Sequence, residues 1–190
     1  MGGSFDPPHT GHLVLAQEAQ WQLGLDRVLL VPAGIPPHKP EGPTLPAERR
    51  FALVQVSVAG SRFLEASRIE VDRPGPSYTA DTLEQVAQAN PGADLWFILG
   101  ADQLAGLGTW NRPQRIVELA RLALAMRPGT DPRPATDAAD ALAPGRVDRV
   151  TMPEIAVSST MIRARLTRGE PIRYLVPDGV ADLLDPDPAS

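Results

Sequence analysis

The chain has 190 residues, 43% of them apolar and 22% charged, which predicts one globular domain with a substantial buried core. The net charge of −5 argues against non-specific nucleic-acid binding, because that activity needs a basic face. No apolar run approaches the roughly 20 residues that cross a bilayer, and the absence of cysteine excludes disulfides, thiolate zinc sites and thiol nucleophiles.

These properties predict a cytoplasmic protein that does not bind membranes, and no signal peptide is recognisable at the start. Homo-oligomer formation stays open. Residues 1–184 are expected to form the single domain, and residues 185–190 a frayed tail.

Helix-like and strand-like segments alternate along the chain. Helices are predicted over 13–23, 46–59, 79–90, 113–120, 160–167 and 180–184, and strands over 27–31, 63–71, 95–99, 122–126 and 147–152. The Pro- and Ala-rich stretch 128–146 is expected to be a surface loop with at most a helical turn at 138–142.

This alternation predicts an α/β fold with a parallel sheet and helices on both faces. The strand over 95–99 is the strongest candidate for a central position. Ligands of such sheets bind beyond the carboxyl ends of the strands, where the strand order reverses.

The strongest functional signal is G-G-S-F-D-P-P-H-T-G-H over 2–12. Glycines allow close backbone approach to an anion, and Thr10 is a plausible N-cap of a phosphate-binding helix. Gly11 leaves room for a nucleotide against that helix. His9 and His12 are three residues apart, so both can face the same phosphate.

The same segment has two other interpretations. It could be a capped helix with incidental surface histidines, although capping needs neither histidine. It could also be a zinc site, although no third ligand is evident. A Walker-type phosphate loop is absent from the sequence.

A second signal is V-S-S-T-M-I-R over 157–163, which follows a predicted strand and opens a helix. Ser158, Thr160 and the free helix amides would converge on one point, and Arg163 lies one turn later, suited to a bidentate phosphate contact. The alternative is an ordinary serine-capped helix with a surface arginine.

The two motifs resemble the signatures of the HxGH nucleotidyltransferases. P-P-H-K, S-Y-T-A-D-T-L, F-I-L-G-A-D, T-W and R-P-G, in this order, are similar to segments of the bacterial nicotinate-mononucleotide adenylyltransferases. The resemblance implies a Rossmann-like nucleotidyltransferase fold and the synthesis of nicotinate adenine dinucleotide and pyrophosphate from ATP and nicotinate mononucleotide, with Mg²⁺ accompanying ATP.

The resemblance also implies a role for each matching residue. His9 and His12 would be catalytic and hold the ATP phosphates. The rest of the ATP site would comprise Gly2, Gly3, Ser4, Phe5, Gly11, Gly100, Asp102, Ser158, Thr160 and Arg163. The mononucleotide site would comprise His38, Lys39, Thr79, Ala80, Trp110 and Arg127.

Structural alternatives exist for part of this set. Trp110 could be a core residue, Asp102 could cap a helix, and His38 with Lys39 could lie on a solvated loop.

The chain departs from the family pattern in two places. The strand that should lead into Gly2 is missing, which predicts a truncated first strand. Asn111 and Ala33-Gly34 stand where relatives often carry other polar or aromatic side chains, which affects the fine contacts of the pocket.

The expected mechanism is in-line attack of the mononucleotide phosphate on the α-phosphorus of ATP, without a general base or a covalent intermediate. Rival hypotheses are a pantetheine-phosphate or glycerol-phosphate nucleotidyltransferase, a nucleotide-binding module without turnover, and a plain structural domain.

Overall fold

The computed structural model describes residues 1–37, 42–126 and 133–184. All strands of the described chain are parallel, in two three-stranded sheets. The strands are β1 (Gly2–Gly3), β2 (Val28–Pro32), β3 (Leu64–Ala66), β4 (Trp96–Gly100), β5 (Arg121–Met126) and β6 (Val147–Thr151).

The helices are α1 (Thr10–Leu23), α2 (Ala47–Ser57), α3 (Thr79–Ala89), α4 (Ala101–Ala105), α5 (Pro113–Leu119), α6 (Arg133–Leu142), α7 (Ser159–Thr167) and α8 (Asp178–Leu184). A 3₁₀ turn at Leu107–Thr109 follows α4. The predicted α/β alternation is confirmed, and most boundaries agree within about three residues.

The two sheets have the orders β1-β2-β3 and β4-β5-β6, and we call them the first and second half-sheets. Placed edge to edge, their strands run 3-2-1-4-5-6, which is the doubly wound Rossmann order with its switch point between β1 and β4. β4 is an edge strand of its own hydrogen-bonded half-sheet, but it takes an inner position in this combined order, in line with the prediction of a central strand. Its apolar composition reflects burial of both faces.

Alternating side chains of the second half-sheet show that both faces are covered. Phe97 and Leu99 of β4 pack in one core cluster with α3 and α5. Ile98 and its neighbour Ala123 of β5 point into the opposite cluster, which contains α1, α2 and β2 residues. This second cluster joins the two half-sheets, since it includes Phe5 and Leu30 as well as Ile98.

The first strand is as short as the sequence predicted. β1 contains two residues, and Gly2 and Gly3 pair with Val31 and Pro32 of β2. The α-ammonium of Met1 donates to the Leu29 carbonyl at 2.8 Å. Burial lowers the pKa of this ammonium to about 5.

Three predicted elements differ from the structure. Residues 133–142 form the ten-residue helix α6 where a loop was expected; its alanines favour a helix, and proline is tolerated in a first turn. The strand over 63–71 shrinks to three residues. The short α4, which starts directly after β4, was not predicted.

Within the described residues no helix is both long and apolar enough to span a bilayer. The predicted tail, residues 185–190, lies outside the described residues.

Candidate active site

The loop between β1 and α1 forms the centre of the site. α1 begins at Thr10, with His9 as the N-cap residue. The prediction of Thr10 as the N-cap is therefore wrong. Its hydroxyl donates to the Leu175 carbonyl at 3.1 Å and ties the start of the helix to the C-terminal part of the chain.

His9 and His12 face each other as predicted, with stacked rings whose centroids are 3.8 Å apart. The His12 ring also contacts the Phe5 ring, at a centroid distance of 4.9 Å. The backbone N–H of His9 donates to Nδ1 of His12 at 3.2 Å, which leaves the proton of a neutral His12 on Nε2.

Burial, and secondarily the charge of His9, lowers the pKa of His12 to about 3. His12 is therefore a neutral hydrogen-bond donor near pH 7 when no ligand is bound. An anionic phosphate beside it would favour the proton and raise this pKa.

Two glycines of the motif are explained by aromatic neighbours. A Cβ on Gly11 would lie 3.1 Å from the His9 ring, so this position makes room for the histidine. A Cβ on Gly3 would lie 3.2 Å from the Phe5 ring. Substitution at either position would displace a ring that supports the site.

The second motif meets the first at the residues that follow Phe5. Ser158 caps α7, its side chain accepting from the Met161 N–H at 3.2 Å. The Arg163 guanidinium donates to the Asp6 carbonyl at 2.6 Å and to the Thr160 hydroxyl at 3.3 Å. The two ends of the chain therefore meet at one loop.

Ser159 adds a contact that the sequence reasoning missed. Its hydroxyl donates to the Pro7 carbonyl at 2.8 Å. The serine pair in V-S-S-T was the available signal, although the motif alone does not indicate which serine caps the helix and which contacts the loop.

A cavity of about 810 Å³ opens at the junction of the half-sheets. Its lining extends from Ser4 and Trp110, near the carboxyl ends of the strands, to Asp26 and Asp94 at their amino ends, and ligands of such sheets bind in the carboxyl-end part. Five predicted site residues line the cavity: Gly2, Gly3, Ser4, Thr79 and Trp110.

Trp110 lines the cavity and also packs edge-on against Phe97, with ring centroids 6.0 Å apart. It is thus both a partly buried core residue and an accessible ring. Ala80, by contrast, is fully buried in the second half-sheet's core and does not line the cavity.

The residues after β4 lie at the carboxyl edge of the sheet. Gly100 is the N-cap of α4, so the alternative of Asp102 as the cap is wrong. The Asp102 backbone lies in α4, and its side chain is outside the described part of the structure. A Cβ on Gly100 would meet nothing within 4 Å, which leaves open space above this position.

Three predicted mononucleotide contacts, His38, Lys39 and Arg127, lie outside the described residues.

The structure adds a buried acid to the cavity wall. Burial raises the pKa of Glu70, and its carboxylate accepts from the Thr82 hydroxyl at 2.7 Å. The neighbouring Ser77 hydroxyl accepts from the N–H groups of Gly34 and Ile35, at 3.0 and 3.2 Å. Ser77 and Thr82 both belong to the S-Y-T-A-D-T-L segment, whereas Glu70 and Gly34 lie outside it and meet them only in the fold.

Among the residues that the structure describes, no three histidine, aspartate or glutamate side chains cluster in a way that could hold a metal ion. The Asp6 carboxylate is already engaged with the N–H groups of Thr44 and Leu45, at 2.7 and 3.0 Å.

Comparison with known proteins gives consistent matches. The family model described as cytidylyltransferase-like matches residues 1–165. A relative from Streptomyces coelicolor, named probable nicotinate-nucleotide adenylyltransferase, is 44% identical over 97% of this chain and 96% of its own length. A Thermus thermophilus relative of the same name is 45% identical over 94% and 91%.

Solved structures resemble this chain at lower identity. The Plasmodium falciparum nicotinic acid mononucleotide adenylyltransferase complexed with NaAD has a TM-score of 0.73 at 17% identity, covering 95% of this chain and 90% of its own. The same enzyme complexed with APC has a TM-score of 0.73 at 16% identity, with the same coverage. These likenesses show the Rossmann-like nucleotidyltransferase fold.

Proposed function

Since this chain belongs to the cytidylyltransferase-like family, and within it to the nicotinate-nucleotide adenylyltransferases, we propose that the junction of its half-sheets is the active site. The reaction transfers AMP from ATP to nicotinate mononucleotide, giving nicotinate adenine dinucleotide and pyrophosphate in NAD biosynthesis. The observation that supports this location best is the convergence of the two motifs on one loop, through Ser159 to Pro7 and Arg163 to Asp6.

ATP would bind with its phosphates above the loop from Ser4 to His12. Within the described residues the backbone N–H groups of Phe5 and Asp6 donate no hydrogen bond to another protein atom. They are therefore free for phosphate oxygens, as at other anion-binding turns. Gly2, Gly3, Gly11 and Gly100 would line the nucleotide, and Asp102 stays a proposed contact to its ribose.

His12 is proposed to donate from Nε2 to the α-phosphate, and His9 to support it by stacking. In the transition state negative charge spreads over the α-phosphate oxygens, and a positioned donor stabilises it there. Ser158, Thr160 and Arg163 would hold the pyrophosphate end.

The mononucleotide would occupy the cavity beside Trp110. Its ring would stack on the tryptophan, near Thr79 and the backbone of Ala80. His38, Lys39 and Arg127 remain proposed contacts to its phosphate.

The chemistry is a single displacement. An oxygen of the mononucleotide 5′-phosphate forms a bond to the α-phosphorus of ATP, and the bond from that phosphorus to the β-phosphate oxygen breaks. No protein nucleophile is needed, because the attacking phosphate is already ionised at neutral pH. Mg²⁺ bound to the triphosphate would shield the charge of the leaving pyrophosphate.

The decisive experiment measures pyrophosphate release by the purified protein with ATP and a panel of acceptors. Nicotinate mononucleotide should give one pyrophosphate per dinucleotide, with nicotinamide mononucleotide measured beside it. Faster turnover with phosphopantetheine or glycerol phosphate would contradict the assignment. Tight ATP binding without pyrophosphate release would instead indicate a binding module.

A further inference from the structure

Arg50 on α2 is a buried cation that the proposed reaction does not use. It is 1% exposed, and no carboxylate forms a salt bridge with it among the described residues. Asp6 and Glu70 act on it only through longer-range charge, and burial lowers its pKa. Burying a charge without a paired counter-charge costs free energy, so Arg50 depends on its hydrogen bonds to stay buried.

Its partners are four backbone carbonyls from separate parts of the chain. The guanidinium donates to Ser4 at 2.7 Å, Ala33 at 2.5 Å, Gly34 at 3.2 Å and Leu45 at 3.0 Å. Arginine alone presents several donors in one rigid plane, which a lysine ammonium does not. One side chain therefore links the loop after β1, the loop after β2 and the segment that leads into α2.

Asp6 joins two of these segments, the loop after β1 and the segment that leads into α2, and does so as a hydrogen-bond acceptor. Its buried carboxylate accepts from Thr44 and Leu45, while Arg50 donates to the Leu45 carbonyl. Leu45 is thus held at both its backbone N–H and its carbonyl. Through Asp6, these contacts reach the loop that carries the proposed phosphate contacts.

The Ser4 carbonyl lies at a strained point. The next residue, Phe5, has φ 47°, a conformation that costs an aromatic residue free energy and persists only when its surroundings enforce it. Arg50 holds the peptide on one side, and the buried Phe5 ring lies against His12 on the other. If this turn relaxed, the Phe5 N–H and the Phe5 ring that contacts His12 would move together.

We propose that Arg50 is a positioning residue for adenylyl transfer: its guanidinium holds the Ser4–Phe5 turn in the conformation that presents backbone N–H groups and His12 to the ATP phosphates. This inference rests on the proposed function. Arg50 touches no substrate and acts through the peptides that it binds.

The test is the substitution R50K, with R49K as the matched control. Arg49 is the preceding residue of the same helix and is exposed, and its one hydrogen bond to the described residues goes to the Leu183 carbonyl at 2.7 Å. Both variants keep the charge, and only R50K removes the planar set of donors. Steady-state kinetics with each substrate varied should be measured at 20 °C, together with thermal unfolding and amide hydrogen exchange.

R50K is expected to remain folded and to lower kcat at least tenfold, with the KM for nicotinate mononucleotide changed less than threefold, since a misplaced turn weakens transition-state contacts. Amide exchange should accelerate in residues 4–6, 33–35 and 44–45 and stay unchanged in β4 and β5. R49K should match the wild type in all of these.

Three results would overturn the proposal. One is wild-type kcat in a folded R50K. Another is a kcat loss that only tracks a smaller folded fraction, without faster exchange in the three segments. The third is complete unfolding of R50K at 20 °C while R49K stays folded, because Arg50 would then hold the fold and not the turn. An inactive wild-type protein would refute the proposed function itself and is thereby distinguished.

Discussion

The two half-sheets are both parallel but differ in the length of their hydrogen-bonded ladders. In the second, β4 and β5 pair over five residues and β5 and β6 over five more. In the first, β1 pairs with β2 over two residues and β2 with β3 over three. The second half-sheet is thus held by its ladder, whereas the loops of the first are held by side chains that bind backbone groups.

This difference coincides with the proposed division of labour. The first half-sheet carries the loop with His9 and His12, where charge develops in the reaction. The second carries Trp110 and Gly100, which would bind the bases and the ribose. A loop fixed by Arg50, Asp6 and Arg163 can adopt a geometry that a regular ladder would not provide.

The largest expected effect concerns His12. His12→Ala removes the proposed donor to the α-phosphate and should lower kcat by about a hundredfold or more, as loss of an oxyanion donor does. Pyrophosphate release under saturating substrates measures this directly.

The matched variant in the second half-sheet is Trp110→Ala. It should raise the KM for nicotinate mononucleotide roughly tenfold and leave kcat within about threefold, because stacking serves binding in ground and transition states alike. Two results would contradict the proposal that the first half-sheet carries the catalytic contacts and the second the binding contacts. One is unchanged turnover in His12→Ala, and the other is a kcat loss in Trp110→Ala as large as that of His12→Ala.

A glycine substitution compares the packing of the two halves. A Cβ on Gly34 would clash with the Glu70 carbonyl oxygen, whereas one on Gly108 would meet nothing within 4 Å. Gly34→Ala should therefore destabilise the fold by about 2 kcal/mol and Gly108→Ala by well under 1 kcal/mol. Urea unfolding measures both, and equal losses would contradict the crowded first half that the structure describes.

The sequence predicted the half-sheets unequally, for physical reasons. The apolar runs of β4 and β5 and the periodicity of α3 are local signals, and the phosphate motifs carry their chemistry in consecutive residues. Arg50 has no such signal, because its partners are carbonyls up to 46 positions away along the chain. The Glu70–Thr82 contact in the cavity wall also depends on tertiary packing. His9 is the N-cap because its backbone is extended and the helix already includes Thr10, whose hydroxyl donates to the distant Leu175 carbonyl.

The pH dependence of stability should also report on the first half-sheet. The pKa of His12 is about 3 in the fold against an ordinary value of about 6.5 in the unfolded chain. Between these values the unfolded chain binds the extra proton, so stability falls as pH falls, by about 1.4 kcal/mol per pH unit. His12→Gln should remove that slope between pH 6 and 4 in urea unfolding; an unchanged slope would mean that other groups cause it.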